Sequence, residues 1–250
     1  MPAPLQLSEH VYALPLEATL MGSPTTIFPA LILGGARGAT LVDTGIPGMQ
    51  DALRDALGAL GLGWGDVRRI IVTHHDLDHI GSLPAVVAAT GAEVLALDAE
   101  VPYVQGDRPG QKQPTPQMLA SMPPEMVAVF ANPPRAAVTR PLHDGEVLDL
   151  AGGVRVVATP GHTVGHLSLF VVQDGVLISG DALTSSGGQL HGPMERATPD
   201  MGQARESVRK LAGLPVTAVL TYHGGPVRED AAGQLARVAG EGRGAGTTAP

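Results

Sequence analysis

Short apolar runs, each closed by Gly, Pro or a polar residue, recur along the chain. Runs of this length, rich in Val, Ile and Leu, read as buried strands. They fall at 11–14, 26–33, 39–43, 70–73, 94–97, 154–158, 166–172, 176–179 and 216–221. Between some of them the pattern turns helical. Over 47–60, Met49, Leu53, Ala56, Leu57 and Leu60 share one stripe. A shorter helix is predicted at 82–90, with Pro84 near its start, where a missing N–H costs little. Two more are predicted at 201–212 and 228–239. Asp174-Gly175 between two strand-like runs signals a hairpin. The pattern predicts an α/β chain with mixed sheets, one domain over 1–239. Residues 240–250 are Gly, Ala, Thr and Pro with one Arg and one Glu, which predicts a disordered tail.

One segment departs from this alternation. Eight prolines stand between 102 and 140, and Met118, Met122 and Met126 fall among them at helical spacing. Pro123-Pro124 is expected to split two short helices. A surface excursion with Met as filler and a lid whose soft side chains line a pocket both fit. On the lid reading, Met118 and Met122 contact substrate.

Composition narrows the chemistry. The chain has 250 residues, enough for one large domain. It has no cysteine, which excludes disulfides, thiolate metal sites and a Cys nucleophile. The net charge is −8, and only Lys112 and Lys210 are lysines. That balance argues against a nucleic-acid partner, which needs a basic stripe, and against docking on an anionic membrane. Residues 1–16 carry no Lys or Arg, and no window approaches about 20 uninterrupted apolar residues. The expectation is a cytoplasmic protein with a small-molecule substrate; a homodimer is open.

The chemistry concentrates at strand ends. After the run Ile70-Ile71-Val72-Thr73, five of the six residues from His74 to His79 are His or Asp. Imidazole with carboxylate is a ligand set for Zn, Fe or Mn. Three further strands end in Pro160-Gly161-His162, Gly180-Asp181 and Tyr222-His223-Gly224. Gly beside each lets backbone approach closely.

These motifs resemble those of the metallo-β-lactamase superfamily, particularly its glyoxalase II-like branch. The resemblance runs from Leu41-Val42-Asp43-Thr44-Gly45 to His223. It implies a four-layer αββα sandwich of two mixed β-sheets with the site at the sheet edges. It also implies two divalent metal ions, Zn by the family's habit. His74, Asp76 and His162 would hold the first, Asp78, His79 and His223 the second, and Asp181 would bridge them. Asp43 resembles the family's aspartate that orients a ligand histidine through its distal nitrogen.

The sequence departs from the family motif H-x-H-x-D-H at Asp76, where the family has His. Asp76, Asp78, Asp181 and a bridging hydroxide then balance two divalent cations, so the site is expected to be a weaker Lewis acid, with Fe or Mn more favoured. His75 is expected to point away from the metals, and His166 to be structural. His191 and Tyr222 are candidate substrate contacts, and His10 and His143 are expected to be ordinary surface residues. The resemblance implies hydrolysis of a lactone, thioester or other ester by metal-activated hydroxide, with Asp78 orienting the attack. No basic clamp for a glutathione or CoA group is visible in the sequence. An iron-dependent oxidoreductase resembling the persulfide dioxygenase or di-iron members is the alternative, motivated by Asp76; a phosphodiesterase or nuclease fits the charge less well.

Overall fold

A computed structural model of the chain describes residues 2–20, 22–34 and 38–241. Most of the expected tail, 242–250, lies outside the described residues. Two mixed sheets face each other. The first has seven strands in the order Leu5–Gln6, Val11–Ala13, Ala30–Leu33, Ala39–Val42, Val67–Val72, Glu93–Leu97 and Arg140–Leu142. The last four run parallel and the remaining pairings are antiparallel. The second has six strands, Val147–Leu148, Val154–Ala158, Leu167–Val171, Val176–Ile178, Ala218–Thr221 and Gly225–Val227. There only Val176–Ile178 and Ala218–Thr221 pair in parallel.

The period-two alternation sorts side chains between layers. Ile71 faces the second sheet, while Ile70 and Val72 face outward onto Leu53, Leu57, Leu83 and Val86 of helices Gln50–Gly58 and Leu83–Thr90. In the second sheet Val156, Leu169 and Leu220 face inward. Val157, Phe170 and Val219 face Val208 and Leu211 of helix Met201–Leu211 and Leu235 and Val238 of helix Ala231–Gly240. The layers are therefore helix, sheet, sheet, helix, the αββα sandwich expected. Each fully buried aliphatic side chain in these layers stabilises the fold by about 1.5–3 kcal/mol.

The predicted strand 26–33 is two strands. Ser23–Ile27 pairs with Leu16–Leu20 in a separate hairpin, and the first sheet resumes only at Ala30. Pro29, without an N–H for a ladder, stands at the break. A second small hairpin, Thr184–Ser186 with Gln189–His191, was not apparent from the apolar pattern. In the Pro-rich segment, helices Pro116–Ser121 and Pro124–Ala131 are split at Pro123, and neither contains a buried residue. Among the described residues no helix is long and apolar enough to cross a membrane.

This topology positions the site. Strand Leu167–Val171 runs antiparallel to both of its neighbours, so Val154–Ala158, Val176–Ile178 and Ala218–Thr221 all point the same way. Their C-terminal ends share one edge of the sandwich. The loops carrying His162, Asp181 and His223 follow those ends, and the loop after Val67–Val72 meets them there.

Candidate metal centre

Strand Val67–Val72 gives way to a loop and then to the one-turn helix Leu77–Ile80, with Asp76 at its N-terminal boundary. The turn is held by Thr44, whose N–H and hydroxyl both bond to His79 O, at 2.7 and 2.9 Å. Gly81 follows because a Cβ there would lie 2.3 Å from the backbone of Ile46 and Pro47. The His223 loop is gripped from two sides by the small hairpins. Phe28 N–H donates to Tyr222 O at 3.0 Å, and Ser185 N–H to His223 O at 3.0 Å. At Gly224, φ is +107° and a Cβ would collide with Ser185 O at 1.8 Å, so glycine is required.

Six of the proposed ligands converge in two groups. Ligating atoms of His74, His162 and Asp181 lie within 4.8 Å of one another, as do those of Asp78, His79 and His223. Asp181 touches both. Its Oδ2 is 3.4 Å from His162 Nε2 and 3.3 Å from His223 Nε2, and its Oδ1 is 3.4 Å from His79 Nε2. Asp78 Oδ2 lies 3.2 Å from His223 Nε2. Asp76 Oδ2 lies 3.3 Å from His74 Nε2 and 3.1 Å from His162 Nε2. His74 Nε2, His79 Nε2 and Asp181 Oδ1 are buried and have no hydrogen-bond partner among the described residues. Buried polar atoms are almost always bonded. Three orphans converging at one edge are what cations would satisfy, and the residues present fit divalent ions.

The distal nitrogens of the rings are fixed. Asp43 accepts from Thr73 N–H (2.8 Å), Thr73 Oγ1 (2.7 Å) and His79 Nδ1 (2.8 Å). Having donated to Asp43, the Thr73 hydroxyl accepts from His74 Nδ1 at 3.0 Å. His162 Nδ1 bonds Thr198 Oγ1 at 3.2 Å. Each bond leaves the Nε2 lone pair directed into the centre. Asp43 adopts φ +64°, in the left-handed region that costs a non-glycine residue. His166 accepts from Asp181 N–H at 3.0 Å and is bonded through Nδ1 to Thr159 Oγ1 at 2.8 Å, so it holds Asp181 in place. Burial, reinforced by His162, pushes the His166 ring down to about 3, which keeps it neutral in that role.

Electrostatics follow the same geometry. Burial alone would raise the Asp181 carboxyl, but His79 and His223 outweigh it and hold it well below the usual range. Burial would lower His223, yet Asp181 and Asp78 push it up to about 9. Burial, with His79 beside it, lowers His74.

The remaining candidates divide. His191 lines an open cleft of about 580 Å³ beside His223, together with Thr25, Phe28, Ser186 and Met194. Tyr222 does not face that cleft. Its ring stacks under His79 with centroids 3.7 Å apart, and its hydroxyl donates to Asp78 O. The substrate-contact expectation for Tyr222 is therefore corrected: it is a prop beneath two candidate ligands, Asp78 and His79. Met118 is exposed, Met122 is half-buried, and neither lines the cleft. His75 points away from the centre as expected, but it is not idle. Its N–H and Nδ1 both bond Glu100, its Nε2 accepts from Gln111 N–H at 3.1 Å, and its ring stacks on Tyr103.

Two residues escaped the sequence reading. Glu100 is fully buried and also accepts from Thr163 Oγ1 (3.1 Å) and Gly165 N–H (2.9 Å), tying the His162 loop to the His75 loop. Lys112 ion-pairs with Asp76, and its Nζ lies 2.7 Å from His162 Nε2. The sequence-based charge count of the centre left this ammonium out. Burial would raise Asp76, but His74, His162 and Lys112 together hold it well below the usual range.

Comparison with known proteins agrees with the geometry. The family model of the metallo-beta-lactamase superfamily matches residues 29–223. The chain is 33% identical to a probable metallo-hydrolase, YflN, of Bacillus subtilis over 207 residues, 75% of either chain. It is 32% identical to a hydroxyacylglutathione hydrolase of Methylobacillus flagellatus, covering 68% of this chain but 52% of that protein. Among solved structures, a metallo-beta-lactamase family protein from Thermus thermophilus matches with a TM-score of 0.69 and 27% identity, over 95% of this chain and 81% of that one. The protein belongs to the metallo-β-lactamase superfamily and is one of its metallo-hydrolases.

Proposed function

We propose that the enzyme hydrolyses an ester-type bond in a small molecule (a lactone, thioester or other ester) at a centre of two divalent ions. Asp181 carries the reading. One of its oxygens faces His162 and His223 and the other faces His79, so a single carboxylate serves both ligand groups. His74, His162 and Asp181, with Asp76, would hold one ion, and Asp78, His79, His223 and Asp181 the other. Such ions, zinc by the family's habit, supply Lewis acidity and lower the pKa of water.

The chain's own residues do the rest. Asp78 is turned toward His223, which lines the cleft, and there it would orient the attacking water and accept its proton. Tyr222 and Asp43 hold Asp78 and His79 rigid from beneath. The cleft supplies Phe28 and Met194 as apolar walls, hydroxyls from Thr25 and Ser186, and His191. That lining suits a neutral acyl group better than a phosphodiester.

The test is metal analysis of protein purified without added metal, paired with a panel of lactone, thioester and phosphodiester substrates. The reading expects two ions per chain after reconstitution and turnover of a lactone or thioester. Asp181→Ala should lower both occupancies and abolish turnover. Turnover confined to phosphodiesters, or one ion at saturation, would overturn it.

A further inference from the structure

Lys112 is the one lysine or arginine among the described residues that reaches the donor atoms of the centre. It arrives on the Pro-rich segment, not on a strand-end loop, and it is held there firmly. Gln111 N–H is bonded to His75 Nε2, and Gln111 Oε1 accepts from Val164 N–H at 3.1 Å. The residue before Lys112 is thus pinned to both the His74–His79 loop and the His162 loop, and Glu100 locks those loops together.

We infer that the Lys112 ammonium competes with the ion held by His74, Asp76 and His162, and so makes the two ion positions unequal. His162 Nδ1 is committed to Thr198, which leaves one lone pair, at Nε2. Lys112 Nζ lies 2.7 Å from that nitrogen and pairs with the same Asp76 oxygen that approaches His74 and His162. An ion and the ammonium cannot share that lone pair, and their like charges repel. The ion must displace Lys112, whose side chain is 22% exposed and has a route outward. The other position has no such rival. Among the described residues, Asp78 and Asp181 have histidines as their ion-pair partners. The Asp78–His79–His223 position therefore fills first, and the Lys112 position fills second and more weakly.

This inference rests on the two-ion reading. The experiment is zinc titration of the metal-stripped full-length chain by calorimetry and chelator competition, in wild type, Lys112→Met and Lys112→Arg. Wild type should bind one zinc tightly and a second more weakly. Lys112→Met should tighten the weak step by roughly 10–100-fold and leave the tight step in place. Lys112→Arg, which keeps the charge, should retain the inequality. His162→Ala should remove the weak step and Asp78→Ala the tight one, which assigns them. Equal steps in wild type, or a weak step that Lys112→Met leaves unchanged or weakens, would overturn the inference. Binding of no zinc, or of one at saturation in both wild type and Lys112→Met, would instead overturn the two-ion reading.

Discussion

Asp43 shows how one side chain can set a metal site without touching it. It accepts three hydrogen bonds, adopts a left-handed backbone conformation, and places the His79 ring. Asparagine preserves the shape but turns one acceptor oxygen into a donor, which faces either Thr73 N–H in place of Oδ1, or both the Thr73 hydroxyl and His79 Nδ1–H in place of Oδ2. Asp43→Asn should weaken binding of the ion on His79 by roughly 10–100-fold in chelator competition. Unchanged affinity would leave Asp43 as a turn residue only. The reach of Asp43 was legible in sequence only through the family resemblance carried by Leu41-Val42-Asp43-Thr44-Gly45; its place after a strand fits a turn residue equally well. Lys112 and Glu100 were not, because they come from 36 and 25 residues beyond the residues they serve and no local motif marks them. Missing Lys112 left the reading of Asp76 incomplete. Without an ion, the Lys112 ammonium balances Asp76; once an ion displaces it, the carboxylate's full charge faces the ion. Asp76→His would now strand Lys112 against an imidazole, so the variant should bind the ion on His162 more weakly than wild type. Tighter binding in the same zinc titration would show that losing its carboxylate partner weakens the ammonium's competition more than losing that donor's charge weakens the ion.

Elements were legible to the extent that they are long and apolar on one side. The four main helices were placed within a few residues because Leu and Val recur at helical spacing over each. The two small hairpins carry polar residues at most positions, and Pro29 hides inside an apolar run, so the alternation rule misread 26–33. Those hairpins nonetheless hold the His223 loop and wall the cleft, and function depends on elements the apolar pattern cannot reveal. The turn at Leu77–Ile80 depends on Gly81 in a similar way. Gly81→Ala drives a Cβ into Ile46 and Pro47 backbone, which cannot yield as a side-chain tip can. The variant should lose thermal stability and zinc together, and loss of neither would mean the loop relaxes freely. The Pro-rich segment allows the opposite outcome. Met118 and Met126 are 42% and 39% exposed, so trimming them to Ala should leave the melting temperature nearly unchanged, within about 0.5 kcal/mol of stability. If the segment closes over substrate, KM should rise while zinc content stays fixed; a fall in melting temperature with constant KM would make these residues filler.

At the scale of the whole molecule, the centre exists because two sheets hold their edges in register, and the layer between them does that work. The apolar part of that contact was visible in the alternation of Ile71, Val156, Leu169 and Leu220. A polar clasp was not, since His10 looked like an ordinary surface residue. His10 belongs to the turn between the first two strands of the first sheet, and Asp174 to the hairpin joining Leu167–Val171 to Val176–Ile178 in the second. Asp174 accepts from His10 N–H at 3.1 Å and pairs with its ring at 3.0 Å and with the Ser8 hydroxyl. Partial burial alone would raise the Asp174 carboxyl, but the bonds from Ser8 and His10 outweigh it and hold the group below its ordinary value. A carboxyl depressed in the folded state stabilises the fold above its unfolded pKa of about 3.9, and that contribution fades as pH falls through the lower folded value. Asp174→Asn should therefore melt below wild type at neutral pH, and the two melting curves should converge as the medium is acidified below the carboxyl's ordinary range. Metal-stripped protein is the right sample, because acid also protonates the ligand set and would add its own loss. A gap between the two proteins that stays constant from neutral to acid pH would mean the clasp acts through shape and hydrogen-bond count alone, with no contribution from the carboxylate charge.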